Sequence, residues 1–265
     1  MGGIFGLIVS SAYIGLTCLI AWWARQLADR LQIESNFKKL LLLEGIATWE
    51  LCATCFELII VADNYGVSTY ALFLFVLTIW WSRNWGDATA CPYTHFEDVA
   101  EGKKLIGQAL VMILAQLAGG LLTYGYSQFL WSLEVSANHR GRAYEACTAD
   151  LQVPALIGAV IERAATCVCR LASRFIAELN PAFGTELDAF IGTSLVVAAF
   201  NYSGGYFNPA LATSLKLGCD GHTAEQHFFV YWIGSTVGAV ASVFLFKNPE
   251  ARAKVFSLLG KEKDL

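Results

Sequence analysis

Ser203-Gly204-Gly205-Tyr206-Phe207-Asn208-Pro209-Ala210-Leu211-Ala212 is the stretch on which the fold turns. It lies in a sequence apolar enough for a membrane but is too interrupted to cross one. Asn208 suits a helix cap, because its side-chain oxygen accepts from the first free N–H groups, and Pro209 fits the first helical position, where no N–H is needed. The apolar run from Ala210 to Leu217 stops at Gly218, so a helix of about three turns is expected; at ~1.5 Å per residue it reaches only halfway through a bilayer. A helix that begins inside a membrane must have its first N–H groups satisfied by protein or by a water-filled cavity, and its positive end points at that cavity. Such a helix is a component of a pore.

The rest of the chain agrees with a membrane setting. Of 265 residues, 56% are hydrophobic and 15% charged, and mean hydropathy is +0.50, whereas a soluble domain has about half apolar and a quarter charged residues. A net charge of −4, with no Lys/Arg cluster interleaved with aromatics, argues against nucleic acid as a partner. Cys18, Cys52, Cys55, Cys167 and Cys169 sit in apolar segments as small hydrophobes, and Cys52-x-x-Cys55 has no His partners. Neither a metal nor a cofactor is expected.

The first apolar segment runs from Ile4 to about Ala24. No basic residue precedes it, and Arg25, Arg30, Lys38 and Lys39 follow, which points to a retained helix with its N-terminus outside rather than a cleaved signal. Six further spans are expected, at about 40–62, 69–85, 105–131, 154–177, 188–201 and 227–246. Between the second and third of these lies Cys91-Pro92-Tyr93, and between the fifth and sixth lies Asn208-Pro209-Ala210.

These halves repeat. Glu44-x-x-Ala47-Thr48 recurs as Glu162-x-x-Ala165-Thr166, the Cys-Pro turn as the Asn-Pro turn, and Ala115-Gln116-x-x-Gly119 as Tyr231-Trp232-x-x-Ser235, all at an offset of 116 to 118 residues. Three landmarks in one order are hard to obtain by chance. Three spans per half send the second half into the membrane from the opposite side, giving an inverted repeat whose half-helices meet at the midplane. Positive charge agrees: the linker, the Cys-Pro-Tyr loop, the Arg170/Arg174 loop and the C-terminus fall on the cytosolic side, leaving Arg140, Arg142 and Lys216 opposite and Arg163 within a helix.

Asn-Pro-Ala after Ser-Gly-Gly, paired with a second Pro turn one repeat earlier, resembles the signature loops of the aquaporins over roughly residues 40–247. The additional helix, the degenerate first motif and Cys219 nine residues after the second resemble the unorthodox superaquaporins, the group of aquaporins eleven and twelve. The resemblance implies an all-α membrane protein: an inverted repeat of 3+3 helices with two re-entrant half-helices, plus one extra N-terminal helix. Residues 1–39 are then the extra helix and linker, 40–247 the channel domain with halves 40–131 and 154–247, and 248–265 a cytosolic tail.

In that family the two motif Asn amides donate to the passing solute and the half-helix N-termini repel protons and cations. Asn208, with Pro209 and Ala210, matches. Cys91 is a weak donor, and Tyr93 puts a ring where the family has a small Ala beside Pro92; Cys91 is either a packed thiol or a pore-facing one. By spacing, the family's filter falls on Ala71, Val196, Gly205 and Leu211, the last replacing the usual Arg. A wider, less polar constriction follows, suited to glycerol, hydrogen peroxide or urea as well as water. Glu44 and Glu162 occupy the family position whose carboxylate supports the re-entrant loops. Glu50 and Glu57 have no counterpart in the repeat and share one helical face. His95, four after Cys91, is expected beside water at the cytosolic mouth, or as a pH-sensitive group there.

A passive channel for water and small neutral solutes is therefore expected, a homotetramer by resemblance, lodged in the lipid bilayer. A proton-coupled transporter using Glu50 and Glu57, or a non-conducting scaffold plugged by Tyr93, are the alternatives; an enzyme is not expected, because no nucleophile–base pair or metal set stands at one depth. Cys147 and Cys219 fall on the same non-cytosolic side, either bridged or as two thiols. Lys261 and Lys263 resemble a dilysine signal, so the endoplasmic reticulum or another internal membrane is expected rather than the plasma membrane.

Overall fold

The computed structural model describes residues 3–31, 33 and 35–258. Among the described residues twelve α-helices follow one another: α1 (Ile4–Arg30), α2 (Asn36–Tyr65), α3 (Val67–Asn84), α4 (Pro92–Ala100), α5 (Ile106–Leu121), α6 (Thr123–Ser132), α7 (Ala155–Leu179), α8 (Gly184–Ser203), α9 (Pro209–Lys216), α10 (Ala224–His227), α11 (Ser235–Lys247) and α12 (Pro249–Leu258). A π-helical turn at Phe228–Gly234 joins α10 to α11. Among the described residues there is no strand, only an isolated bridge between Thr148 and Asp220.

Four helical runs, Ile4–Arg30, Asn36–Tyr65, Ile106–Ser132 and Ala224–Lys247, are long and apolar enough to cross a membrane by length and composition. The other three expected spans, α3, α7 and α8, are helices of 18, 25 and 20 residues. Large apolar side chains such as Phe5, Leu19, Trp23, Leu114, Val160 and Phe244 stand exposed around the bundle, which suits a lipid surround.

Two helix crossings leave no room for a side chain. A Cβ on Gly119 of α5 would lie 2.1 Å from the carbonyl oxygen of Gly45 on α2, and one on Gly238 of α11 would lie 2.2 Å from that of Arg163 on α7. Backbones approach this closely only where glycine stands. The main apolar core then forms around α2, from Ala47, Leu51, Cys52, Cys55 and Leu58, with Leu74, Leu77 and Trp81 of α3 and Ile14 and Cys18 of α1. Helix α1 therefore packs into the core itself.

Three boundaries differ from the sequence reading. Helix α1 continues past Ala24 to Arg30, because Arg25 is buried against Glu50 of α2 at 2.5 Å and does not end the span. Helix α9 has eight residues, about two turns rather than three. The tail forms α12, docked by Arg252, which pairs with Glu178 and lies over the rings of Phe246 and Phe256 at 4.9 and 5.5 Å. Lys261 and Lys263 lie outside the described residues.

Candidate functional site

Helix α9 starts as the Asn-Pro pair requires. Asn208 is extended and its Oδ1 accepts from the N–H groups of Ala210 (3.0 Å) and Leu211 (3.3 Å), with Pro209 at the first helical position. The chain before it, Gly204-Gly205-Tyr206-Phe207, has positive φ at Gly204, Gly205 and Phe207. At Phe207 this left-handed conformation is strained, at on the order of 1–2 kcal/mol for a non-glycine residue. Glu162 of α7 holds it: Oε1 accepts from Ser203 Oγ (2.7 Å) and Tyr206 N–H (3.2 Å), and Oε2 accepts from Phe207 N–H (2.7 Å).

Helix α4 is reached in the same way with a different cap. Ala90, left-handed at φ 51°, precedes Cys91 as Phe207 precedes Asn208. Glu44 of α2 accepts from the N–H groups of Thr89 (3.1 Å) and Ala90 (2.9 Å) and from Gln116 Nε2 (2.8 Å). Cys91 makes no side-chain cap, so α4 keeps Pro92 at its start but lacks the acceptor Asn208 supplies to α9. The two loops join where Asn208 Nδ2 donates to the carbonyl of Ala90 at 2.8 Å.

His95 is not beside water. It is 1% exposed, with Lys104 Nζ 2.8 Å from Nδ1 and Glu44 Oε1 3.3 Å from Nε2. An ammonium can only donate, so Nδ1 accepts from Lys104, while Nε2 lies between Glu44 Oε1 and Gln116 Nε2 (3.1 Å). The i, i+4 spacing that placed His95 on the face of Cys91 did not reveal the buried carboxylate opposite.

Cys91 and Tyr93 line a cavity of about 590 Å³ at the α4 end of the bundle, together with Thr78, Trp81, Trp85 and Arg170. Cys91, Tyr93 and Ala239 of α11 pack together, and the Arg170 guanidinium carbon stands 5.8 Å from the centre of the Tyr93 ring. Arg170 is bidentate to Glu97 of α4 (2.9 and 2.7 Å), and Arg174 reaches Glu97 and Glu101 (2.9 and 2.7 Å). Burial alone would raise the Glu101 carboxyl, but its contacts with Lys103 and Arg174 outweigh that and hold it below the usual range. Sequence reading missed this clamp, although two arginines four apart late in α7 and two glutamates four apart, one in α4 and one capping its end, are a visible match of spacing.

Of the proposed filter residues, Val196 and Leu211 pack half-buried against the main core beside Tyr70 and Tyr206. Gly205 is buried against α8, where a Cβ would lie 2.6 Å from the Val196 carbonyl oxygen; Ala71 is half-buried on α3. Glu50 and Glu57 face protein. Glu50 accepts from Arg25, Trp80 Nε1 and Trp85 Nε1, and Glu57 from Trp131 Nε1, with His139 Nε2 2.9 Å away. At the opposite end from α4, Cys147 and Cys219 are bridged, and Lys216 pairs with Asp150 at 3.0 Å.

Two capped or Pro-started half-helices, delivered by strained loops that buried carboxylates hold and joined at one depth inside a helical bundle, define a membrane channel. No family model matches the chain. It is 28% identical to Aquaporin-11 of Milnesium tardigradum over 244 residues, 92% of this chain and 88% of that protein. It is 27% identical to Aquaporin-11 of Equus caballus (86% and 85% of the two chains) and 23% identical to Aquaporin-12 of Mus musculus (96% and 90%). In structure it matches the aquaglyceroporin from Plasmodium falciparum with a TM-score of 0.62, at 13% identity, over 84% of this chain and all of that one. The chain is an integral membrane protein with an aquaporin-like fold, and its sequence is similar to aquaporins eleven and twelve.

Proposed function

We propose that the chain is a passive channel for water and small neutral solutes of the glycerol, hydrogen peroxide or urea class, built by residues 40–247 as two inverted halves. One observation carries the solute class: Leu211 directly follows Asn208-Pro209-Ala210, and the filter positions Ala71, Val196, Gly205 and Leu211 supply neither a fixed charge nor an aromatic plug. Without a cation there, a permeant meets an apolar wall. Asn208 Nδ2 keeps one hydrogen beyond its bond to Ala90 and is the donor that such a permeant would meet.

The contacts of Glu50 and Glu57 favour this reading over a proton-coupled transporter. Each carboxylate is buried and engaged by indole groups and by Arg25 or His139, so neither is a free proton carrier on a permeation path. The packing of Tyr93 against Ala239, beside a cavity of about 590 Å³, favours conduction over a scaffold plugged by that ring. Homotetramer assembly and residence in the endoplasmic reticulum complete the reading. The address is tested by surface labelling of cells expressing the parent and the Lys261→Ser plus Lys263→Ser variant: release to the surface only in the variant supports it, and parent protein already at the surface contradicts it.

The channel reading is tested by proteoliposome volume changes in a sucrose and then a glycerol gradient, with and without a pH step. Rapid water efflux and re-swelling in glycerol, both independent of the pH step, are expected. Flux only under a pH gradient would return the transporter.

A further inference from the structure

We propose that Arg25, on the helix preceding the channel domain, is a positioning residue for the pore: through Glu50 it fixes Trp85 and the segment that delivers Cys91 and α4. The assignment rests on reading the cavity at the α4 end as the pore's vestibule.

Charge deep in an apolar bundle is costly unless it is paired and fully hydrogen-bonded. Arg25 is 5% and Glu50 0% exposed, and they meet at 2.5 Å. The rest of the carboxylate faces α3. Oε1 accepts from Trp80 Nε1 and Oε2 from Trp85 Nε1, both at 2.9 Å. Trp85 stacks on Trp81 with ring centres 5.4 Å apart, and both rings line the cavity.

Trp85 also ends α3, after which the chain turns at Gly86 (φ 60°) toward Thr89, Ala90 and Cys91. Helix α2 thus grips this connection twice, with Glu50 on Trp85 and Glu44 on Thr89 and Ala90. The second half of the chain has the Glu162 grip, but the residue 118 after Glu50 is Val168, exposed and apolar. The extra grip belongs to the loop whose half-helix lacks a side-chain cap. Its counter-charge comes from α1, which thereby backs the vestibule wall through Glu50 and Trp85 without lining it.

Three variants of the full chain in proteoliposomes test this. Trp85→Phe removes only the indole donor, Arg25→Met removes the counter-charge at similar length, and Arg25→Lys keeps it. The deciding readout is the rate of Cys91 alkylation by N-ethylmaleimide, located by peptide mass mapping, because a merely stabilising ion pair would lower the melting temperature without exposing this one thiol. A rise of about fivefold in Trp85→Phe and Arg25→Met, a difference on the order of 1 kcal/mol in loop opening by the tenfold-per-1.4 kcal/mol rule, with Arg25→Lys near the parent, is expected. Parent-like labelling in Trp85→Phe overturns the proposal, and that variant alone decides if Arg25→Met fails to insert. If the parent conducts neither water nor glycerol, the channel reading fails on its own while Cys91 alkylation still decides the role of Arg25.

Discussion

Asn208 caps α9 with its Oδ1 and donates from Nδ2 to the carbonyl of Ala90 at 2.8 Å, so one side chain starts the second half-helix and ties it to the first. Asn208→Asp keeps the acceptor and loses both amide hydrogens, setting a carboxylate against the Ala90 carbonyl. A lost buried hydrogen bond of about 1–3 kcal/mol corresponds to a fall in water and glycerol flux on the order of tenfold or more. Stopped-flow light scattering on matched proteoliposomes measures it; unchanged flux would mean that Asn208 is not the donor at the pore.

Leu211 directly follows Asn208-Pro209-Ala210, at the proposed filter position. Leu211→Arg should reduce glycerol flux much more than water flux, because the added guanidinium narrows the constriction and fixes a charge there. Equal loss of both, or no change in either, would count against the filter assignment.

Glu162 satisfies Ser203 Oγ and the N–H groups of Tyr206 and Phe207 while fully buried. Glu162→Ala orphans three donors at about 1–3 kcal/mol each and releases the strained Phe207. Most of the folded protein should be lost, whereas Glu162→Gln, which keeps an acceptor, should lose less. Thermal unfolding in detergent compares them; equal melting temperatures for the two variants would refute the account of this carboxylate.

The Cys147–Cys219 bridge closes a sequence separation of 72 residues over the C-terminal end of α9. Removing it with Cys147→Ser should cost about 2–5 kcal/mol. Non-reducing peptide mapping of fresh membranes should recover the two cysteines in one linked pair; recovery of both as free thiols would remove the bridge.

His222, beside that bridge, lies with Nε2 3.0 Å from His227 Nδ1. Burial lowers its pKa, Asp150 opposes this, and Lys216 adds to it. Because the folded pKa is below the unfolded value of about 6.5, the unfolded chain binds the proton more tightly. The stability contribution is therefore complete above about pH 6.5 and is lost as pH falls through the folded value. Melting temperature should drop on acidification from neutral pH, and His222→Gln should flatten that slope; an identical slope in the variant would assign it to other groups.

The helical membrane fold and the likeness to aquaporins were legible because they rest on local signals: long apolar runs, an Asn-Pro helix start and a repeated Glu-x-x-Ala-Thr. The buried pairings were not. Arg25 reads as the end of a span because hydropathy does not see Glu50 across an interface, and His95 reads as wet because its neighbours in sequence are charged. The left-handed turns at Ala90 and Phe207 were also hidden, since neither residue type advertises positive φ. What holds them is a carboxylate from another helix, a contact that only the folded chain creates.

The most direct measurement is stopped-flow light scattering of proteoliposomes carrying the parent chain, first in a sucrose and then in a glycerol gradient. Water efflux well above that of empty liposomes, followed by glycerol-driven re-swelling with no dependence on a pH gradient, is the expected result. Rates equal to empty liposomes in both gradients, from protein shown to be folded and inserted, would contradict a conducting, wide-filter channel.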